Sequence, residues 1–140
     1  MRLITPIVFF AIDRFVKAII SGINIGGDFV KFGLYKNYAG AFSLPIGGWP
    51  YNAAGIVLLI IFAALFYKEL KRAYSLRLTA YGLVILGGLS NLIDRIALGY
   101  AVDYFQIAQR SFFNIADAMI VMGITFLLTQ SLKSRNGKMA

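Results

Sequence analysis

The chain has 140 residues, of which 59% are apolar before its 14 glycines are counted and only 14% are charged. An ordinary soluble domain is about 45–50% apolar with glycine included and about 25% charged, so a soluble fold is excluded, as are disorder, a coiled coil and a disulfide scaffold. With neither Cys nor His, a thiolate nucleophile, a Ser-His-Asp triad and a Cys/His zinc site are ruled out, and the net charge of +8 reads as cytoplasmic anchoring of a membrane protein, not nucleic-acid binding.

Four apolar runs occur in order, each near the lower limit of the roughly 17–25 residues that cross a bilayer. The first, about 3–25, is interrupted by Asp13, Arg14 and Lys17. Its start has the form of a signal-peptide core, but the charges come next and no small-x-small cleavage site comes after them, so it reads as a retained span. In the next segment, 26–50, the stretch 29–35 is aromatic and β-branched, and Pro45, Gly47, Gly48 and Pro50 punctuate the approach to the second run. A small β element is predicted there, with Trp49 and Tyr51 as interfacial anchors. The second run, 51–67, has no formal charge; the third, 78–97, carries Asp94 and Arg95; the fourth, 112–132, carries Asp117. Gly82, Gly87 and Gly88 let helices approach closely or leave room for an acyl chain. The expected fold is an all-α integral membrane protein. It is a four-transmembrane-helix bundle with a small extracytoplasmic β element between spans 1 and 2, and it forms one membrane-embedded domain over 1–140.

Orientation is set by the loops. Lys68, Lys71, Arg72 and Arg77 come after the second run, Lys133, Arg135 and Lys138 after the fourth, and Arg2 precedes the first. The positive-inside rule makes that side cytoplasmic, with both termini inside. Segments 26–50 and 98–111 then lie outside with only Lys31, Lys36 and Arg110. On this topology Asp13, Asp94, Asp103 and Asp117, four of the six acidic residues, converge near the outer membrane face.

Spacing sharpens the cluster. Asp13 and Lys17 are i,i+4 neighbours, and Asn91/Asp94 and Asn114/Asp117 are i,i+3 pairs that share helix faces. For Asp13 with Lys17, and Asp94 with Arg95, a bracing role inside the bundle outweighs a chemical one. Asp103 and Asp117 lack a basic residue one turn away, so a functional reading outweighs the structural one. Intramembrane Asp, Asn and Arg also build conduits, so the alternative is a small ion- or proton-conducting membrane protein. A conduit needs polar groups through the whole membrane depth, and the second run and the inner halves of the third and fourth offer almost none.

Four blocks resemble one family. The segment GGLSNLIDRIALGYAVDYF followed by FFNIADAMIVMG is similar to the signature of the lipoprotein signal peptidases (signal peptidase II). Gly87, Asn91, Asp94, Arg95, Gly99, Val102 and Asp103 fill the first block, with Tyr104 where Phe is usual, and Phe113, Asn114, Ala116 and Asp117 fill the second. DRFVK resembles the family's D-x-x-x-K through Asp13 and Lys17. NYAGAFS resembles its N-x-G-x-A-F-S through Asn37, Ala41, Phe42 and Ser43, with Ala39 at the usual Gly and Gly40 after it.

The resemblance implies an aspartic endopeptidase of the bacterial inner membrane that removes signal peptides from lipid-modified prolipoproteins, cutting just before the diacylglyceryl-cysteine. It carries over Asp103 and Asp117 as the catalytic dyad, with Asn91, Asn114, Asn37, Asp94, Arg95, Asp13 and Lys17 binding substrate or supporting the site. Two close carboxylates share one proton, so the ionised partner can activate water while the protonated one polarises the carbonyl. No metal or cofactor is expected. The partners implied are the prolipoprotein substrate and membrane lipids, with no nucleic acid, and the working unit is a monomer.

Overall fold

The computed structural model describes residues 3–38, 49–70 and 76–136. Expectations that fall on Ala39 to Ser43, on Pro45, Gly47 and Gly48, and on Lys71 and Arg72 lie outside the described residues. The first apolar run winds into α1 (Ile4–Ile19), of 16 residues, which is shorter than the run itself. A turn at 21–22 ends it, and the residues beyond pair as a strand. At 1.5 Å per residue α1 is about 24 Å long, against about 30 Å of bilayer hydrocarbon.

The remaining elements are β1 (Asn24–Gly26), β2 (Val30–Asn37), α2 (Trp49–Leu70), α3 (Arg77–Leu98), β3 (Ala101–Ile107), β4 (Ser111–Phe113) and α4 (Ile115–Asn136). Among the described residues three helices are long and apolar enough to cross a membrane: α2, α3, and α4 over Ile115–Ser134. The protein is thus mostly helical, and where four spans were expected three helices reach spanning length while α1 falls short.

The predicted β element over 29–35 is β2, but it does not stand alone. The four strands form one antiparallel sheet in the order β1-β2-β3-β4. Its other half comes from the segment expected to be a short loop and from the start of the fourth run. An isolated hairpin is marginal in water, and β3 supplies the partner that β2 requires. Val102 and Tyr104 of β3 are buried in a cluster with Ile20, against which Phe32 and Ile115 also pack. Asp103, between them, is equally buried but turned to the opposite side of the sheet. A strand buried on both faces shows no polar alternation, which is why its sequence reads as a loop.

Within the bundle α3 is central. Its buried positions Ala80, Val84, Gly87, Asn91 and Asp94 fall at helical spacing along one stripe, and it packs against α1, α2 and α4, while α1 also packs against α4. A Cβ on Gly87 would stand 2.6 Å from the carbonyl oxygen of Ala116, so only glycine permits this approach of α3 to α4. Gly99 ends α3 in the left-handed region (φ 82°), its N–H bonded to the Arg95 carbonyl at 3.0 Å, and turns the chain directly into β3. α2 packs chiefly on α3. Val57, Leu58, Ile60 and Ile61 on α2 are exposed, as suits a helix that is apolar on all sides and faces lipid. A groove is left between α2 and α4, floored by α3.

Candidate active site

The first turn of α4 sets the site. Asn114 precedes the helix, and its Oδ1 accepts the Asp117 N–H at 2.8 Å, while Asp117 Oδ2 accepts the Asn114 N–H at 3.2 Å. This reciprocal cap satisfies two backbone donors and fixes the carboxylate three residues into the structure. Asn91 of α3 donates Nδ2 to Asp117 Oδ1 at 2.8 Å. Both oxygens of Asp117 are therefore held by amide donors.

Asp103 reaches the same place from the sheet. Register pairs Tyr35 with Asp103 and Asn37 with Ala101, so Asn37 stands diagonally across from the carboxylate and donates Nδ2 to its Oδ2 at 2.9 Å. Asn114 Nδ2 lies 2.8 Å from Asp103 Oδ1, 3.0 Å from Asn91 Oδ1 and 3.1 Å from the Val102 carbonyl. One asparagine thus joins α3, β3 and α4. Burial, and after it the Asp117 charge, pushes the Asp103 carboxyl up to about 6, because charge is costly where water is excluded and a like charge stands near.

Behind this tier lies an ion cluster. Lys17 Nζ is 3.1 Å from Asp13 Oδ2 and 2.7 Å from Asp94 Oδ2, and it donates to Asn91 Oδ1 at 2.9 Å. Arg14 pairs with Asp94. Asp13 also accepts from Ser90 Oγ at 2.6 Å, from the Tyr104 hydroxyl at 2.7 Å and from the Ala116 N–H at 3.1 Å. The Tyr104 hydroxyl in turn accepts the Ile115 N–H at 2.9 Å. Two cations thus face two carboxylates, and the lone pairs left over meet hydroxyl and backbone donors, the condition under which buried charge is tolerated.

The structure brings Asp13, Lys17, Asn37, Asn91, Asp94, Asp103, Asn114 and Asp117 into this connected network. It corrects one expected pairing. Asp94 is held by Arg14 and Lys17, not by Arg95, because successive helix residues do not face each other. Arg95 turns to the groove instead, with its guanidinium 4.8 Å from the Tyr51 ring centre and a bond to the Asn91 carbonyl at 3.4 Å. Sequence reasoning passed over Arg14, Ser90 and Tyr104. Ser90 sits four residues before Asp94 on the same helix face, and that spacing was a usable signal; Tyr104 stood out only as a departure from the family's usual Phe, and Arg14 left none.

Asp103 and Asp117 open onto a cavity of about 1080 Å³. Asn37 and Arg95 border its polar end, and Leu59, Phe62, Val84 and Ile124 line the part that runs down the groove between α2 and α4. Chemically, this is a carboxylate pair at the head of an apolar channel. Among the described residues no group of three or more acidic side chains is arranged to hold a metal ion.

Comparison with known proteins agrees with this architecture. Residues 5–133 match the family model for signal peptidase (SPase) II. The chain is 32% identical over 130 residues to a lipoprotein signal peptidase of Caldicellulosiruptor bescii, covering 89% of this chain and 85% of that one. It is 30% identical over 135 residues to one from Halothermothrix orenii, covering 91% and 92%. A solved bacterial membrane enzyme (in meso method, 2.3 Å) superposes with a TM-score of 0.78 at 20% identity, over 98% of this chain and 90% of that one. A second, at 1.9 Å, gives 0.74 at 25% identity over 94% and 92%.

Proposed function

The chain belongs to the signal peptidase II family, and from that premise we propose that it is an aspartic endopeptidase that frees lipid-modified prolipoproteins from their signal peptides by cutting just before the diacylglyceryl-cysteine. The observation that carries this reading is the meeting of Asp103 and Asp117 through Asn114 at the head of a groove whose far walls, Leu59, Phe62, Val84 and Ile124, are apolar. A dyad held in this way activates water without a covalent intermediate, and neither carboxylate must move to find its place. The apolar groove, open between two lipid-facing helices, suits a substrate that is itself a membrane segment with acyl chains. Asn91, Asn114 and Asn37 orient the carboxylates and offer amides to the substrate backbone, while Asp13, Lys17 and Asp94 brace the floor.

In this reading all four helices cross the bacterial inner membrane, both termini are cytoplasmic and the dyad lies near the outer face. A single copy works alone, since one chain supplies every group named. The test is incubation of purified protein with a lipid-modified precursor, monitored on gels for a shortened product, alongside the same precursor without its lipid. Cleavage of the lipid-modified form alone is expected. An intact lipid-modified precursor after prolonged incubation would sink the proposal.

A further inference from the structure

The two aspartates are not placed alike. Asp117 receives undivided donors on both oxygens, the Asn91 amide at 2.8 Å and the Asn114 backbone N–H at 3.2 Å. The Asn91 donor is itself strengthened, because the oxygen of the same amide accepts from the Lys17 ammonium at 2.9 Å and polarisation runs along such a chain. Asp117 also lies in the first turn of a 22-residue helix, whose N-terminus favours negative charge. Asp103 has weaker support. Its Oδ1 depends on the Asn114 amide, whose two hydrogens are divided among Asp103 Oδ1, Asn91 Oδ1 and the Val102 carbonyl. Its Oδ2 depends on Asn37, a half-buried residue at the end of β2.

Resting on the peptidase reading, we infer that the dyad has a fixed division of labour: Asp103 holds the shared proton and is the acid, and Asp117 holds the charge and is the base. The charged groups acting on Asp103 are Asp117 from α4, Lys17 from α1 and Arg95 from α3. The steps balance. Asp117 takes a proton from water as the water oxygen bonds to the scissile carbonyl carbon, and Asp103 gives its proton to the carbonyl oxygen, leaving a gem-diol. As the C–N bond breaks, Asp117 returns its proton to the departing nitrogen. Asp103 recovers a proton from one hydroxyl of the gem-diol, and the starting state is restored.

Asn is a neutral amide that still donates a hydrogen bond, so it imitates a protonated Asp far better than an ionised one. Single-turnover cleavage of a lipid-modified precursor should therefore fall about 10²-fold in Asp103→Asn and about 10⁴-fold in Asp117→Asn, the two ends of the usual range for acid–base groups. A residual Asp117→Asn rate equal to or above that of Asp103→Asn, both undetectable included, would overturn the assignment. A second measurement keeps the catalytic pair intact. Wild-type kcat/KM should decline as pH rises through about 6, where Asp103 loses its proton, and Asn37→Ala should move that limb to higher pH, because the Asn37 amide favours the ionised carboxyl. A limb that stays put or moves down belongs to another group and defeats the proposal. Failure of the peptidase reading itself looks different: wild-type protein would leave the precursor intact, or both Asn variants would keep more than about a tenth of its rate.

Discussion

Lys17 sets one ammonium against two carboxylates in a place water does not reach, its side chain 2% exposed and those of Asp13 and Asp94 0% and 1%. Lys17→Met leaves Arg14 to balance both, and removal of one member of a buried ion cluster costs about 3–5 kcal/mol. A large fall in Tm in detergent is the expected result, and an unchanged Tm would mean that the cluster is not held by charge. Arg95→Ala should behave differently, because Arg95 borders the groove and the partners of Asp94 stay in place. Folded yield and Tm should stay close to wild type while kcat/KM drops about tenfold or more, as for loss of a contact worth at least about 1.4 kcal/mol. A collapse in yield with normal specific activity would return Arg95 to a bracing role. Asp103 makes a third case at this scale. Its folded-state value of about 6 lies above the ordinary 3.8, so the folded protein binds this proton more tightly than the unfolded chain. The stabilisation is full below about pH 3.8 and is lost as pH rises through about 6. Asp103→Asn escapes that loss, so its Tm relative to wild type should rise across this window and then level, with a gain on the order of 2–3 kcal/mol. A difference that does not change with pH would refute the burial argument.

Among the elements, the contact between α3 and α4 positions the dyad's supports. Gly87 is one turn from Asn91, and its missing side chain lets the Ala116 backbone come close enough for Asn91 to reach Asp117. Gly87→Val places carbon against a backbone carbonyl that cannot swing aside. Overpacking of this kind typically costs about 1–3 kcal/mol, and separating the helices by an ångström breaks the bond from Asn91 to Asp117. Helix content by circular dichroism should persist while Tm falls and cleavage drops about 10²-fold, as for a small misplacement of catalytic groups. Normal cleavage by Gly87→Val would show that the helices can part without disturbing the dyad.

For the whole molecule, a 16-residue α1 stands beside three helices of spanning length among the described residues. The proposed orientation has Lys68, Arg77 and Lys133 on one side and the sheet on the other, and it requires α1 to cross. It can do so at about 24 Å if the bilayer thins locally or the turn at 21–22 extends its reach. Reporter fusions after Arg72 and after Lys133 should read cytoplasmic, and one at Lys36 should read outside. A cytoplasmic signal at Lys36 would show that α1 does not cross, and the dyad would then face the wrong compartment for the proposed substrate.

Composition and hydropathy alone determined that the chain lives in a membrane and where its long helices run, because insertion into lipid depends on the summed transfer energy of local segments. Helical spacing likewise set Asn91 beside Asp94 and Asn114 beside Asp117, since residues three apart on a helix share one face whatever surrounds them, whereas Asp103 and Asn37 were pointed to by the family resemblance. Only the tertiary structure decided who meets whom. Asp94 is paired across helices with Arg14 and Lys17, β3 is drawn into the sheet by β2, and Tyr104 reaches Asp13 from the back of the strand that presents Asp103. Each of these joins residues distant in sequence, and the choice among equally suitable partners is made by how closely the backbones pack. The 2.6 Å allowance at Gly87 is one such decision: the glycine is visible in the sequence, but that it meets the Ala116 backbone of α4 is not.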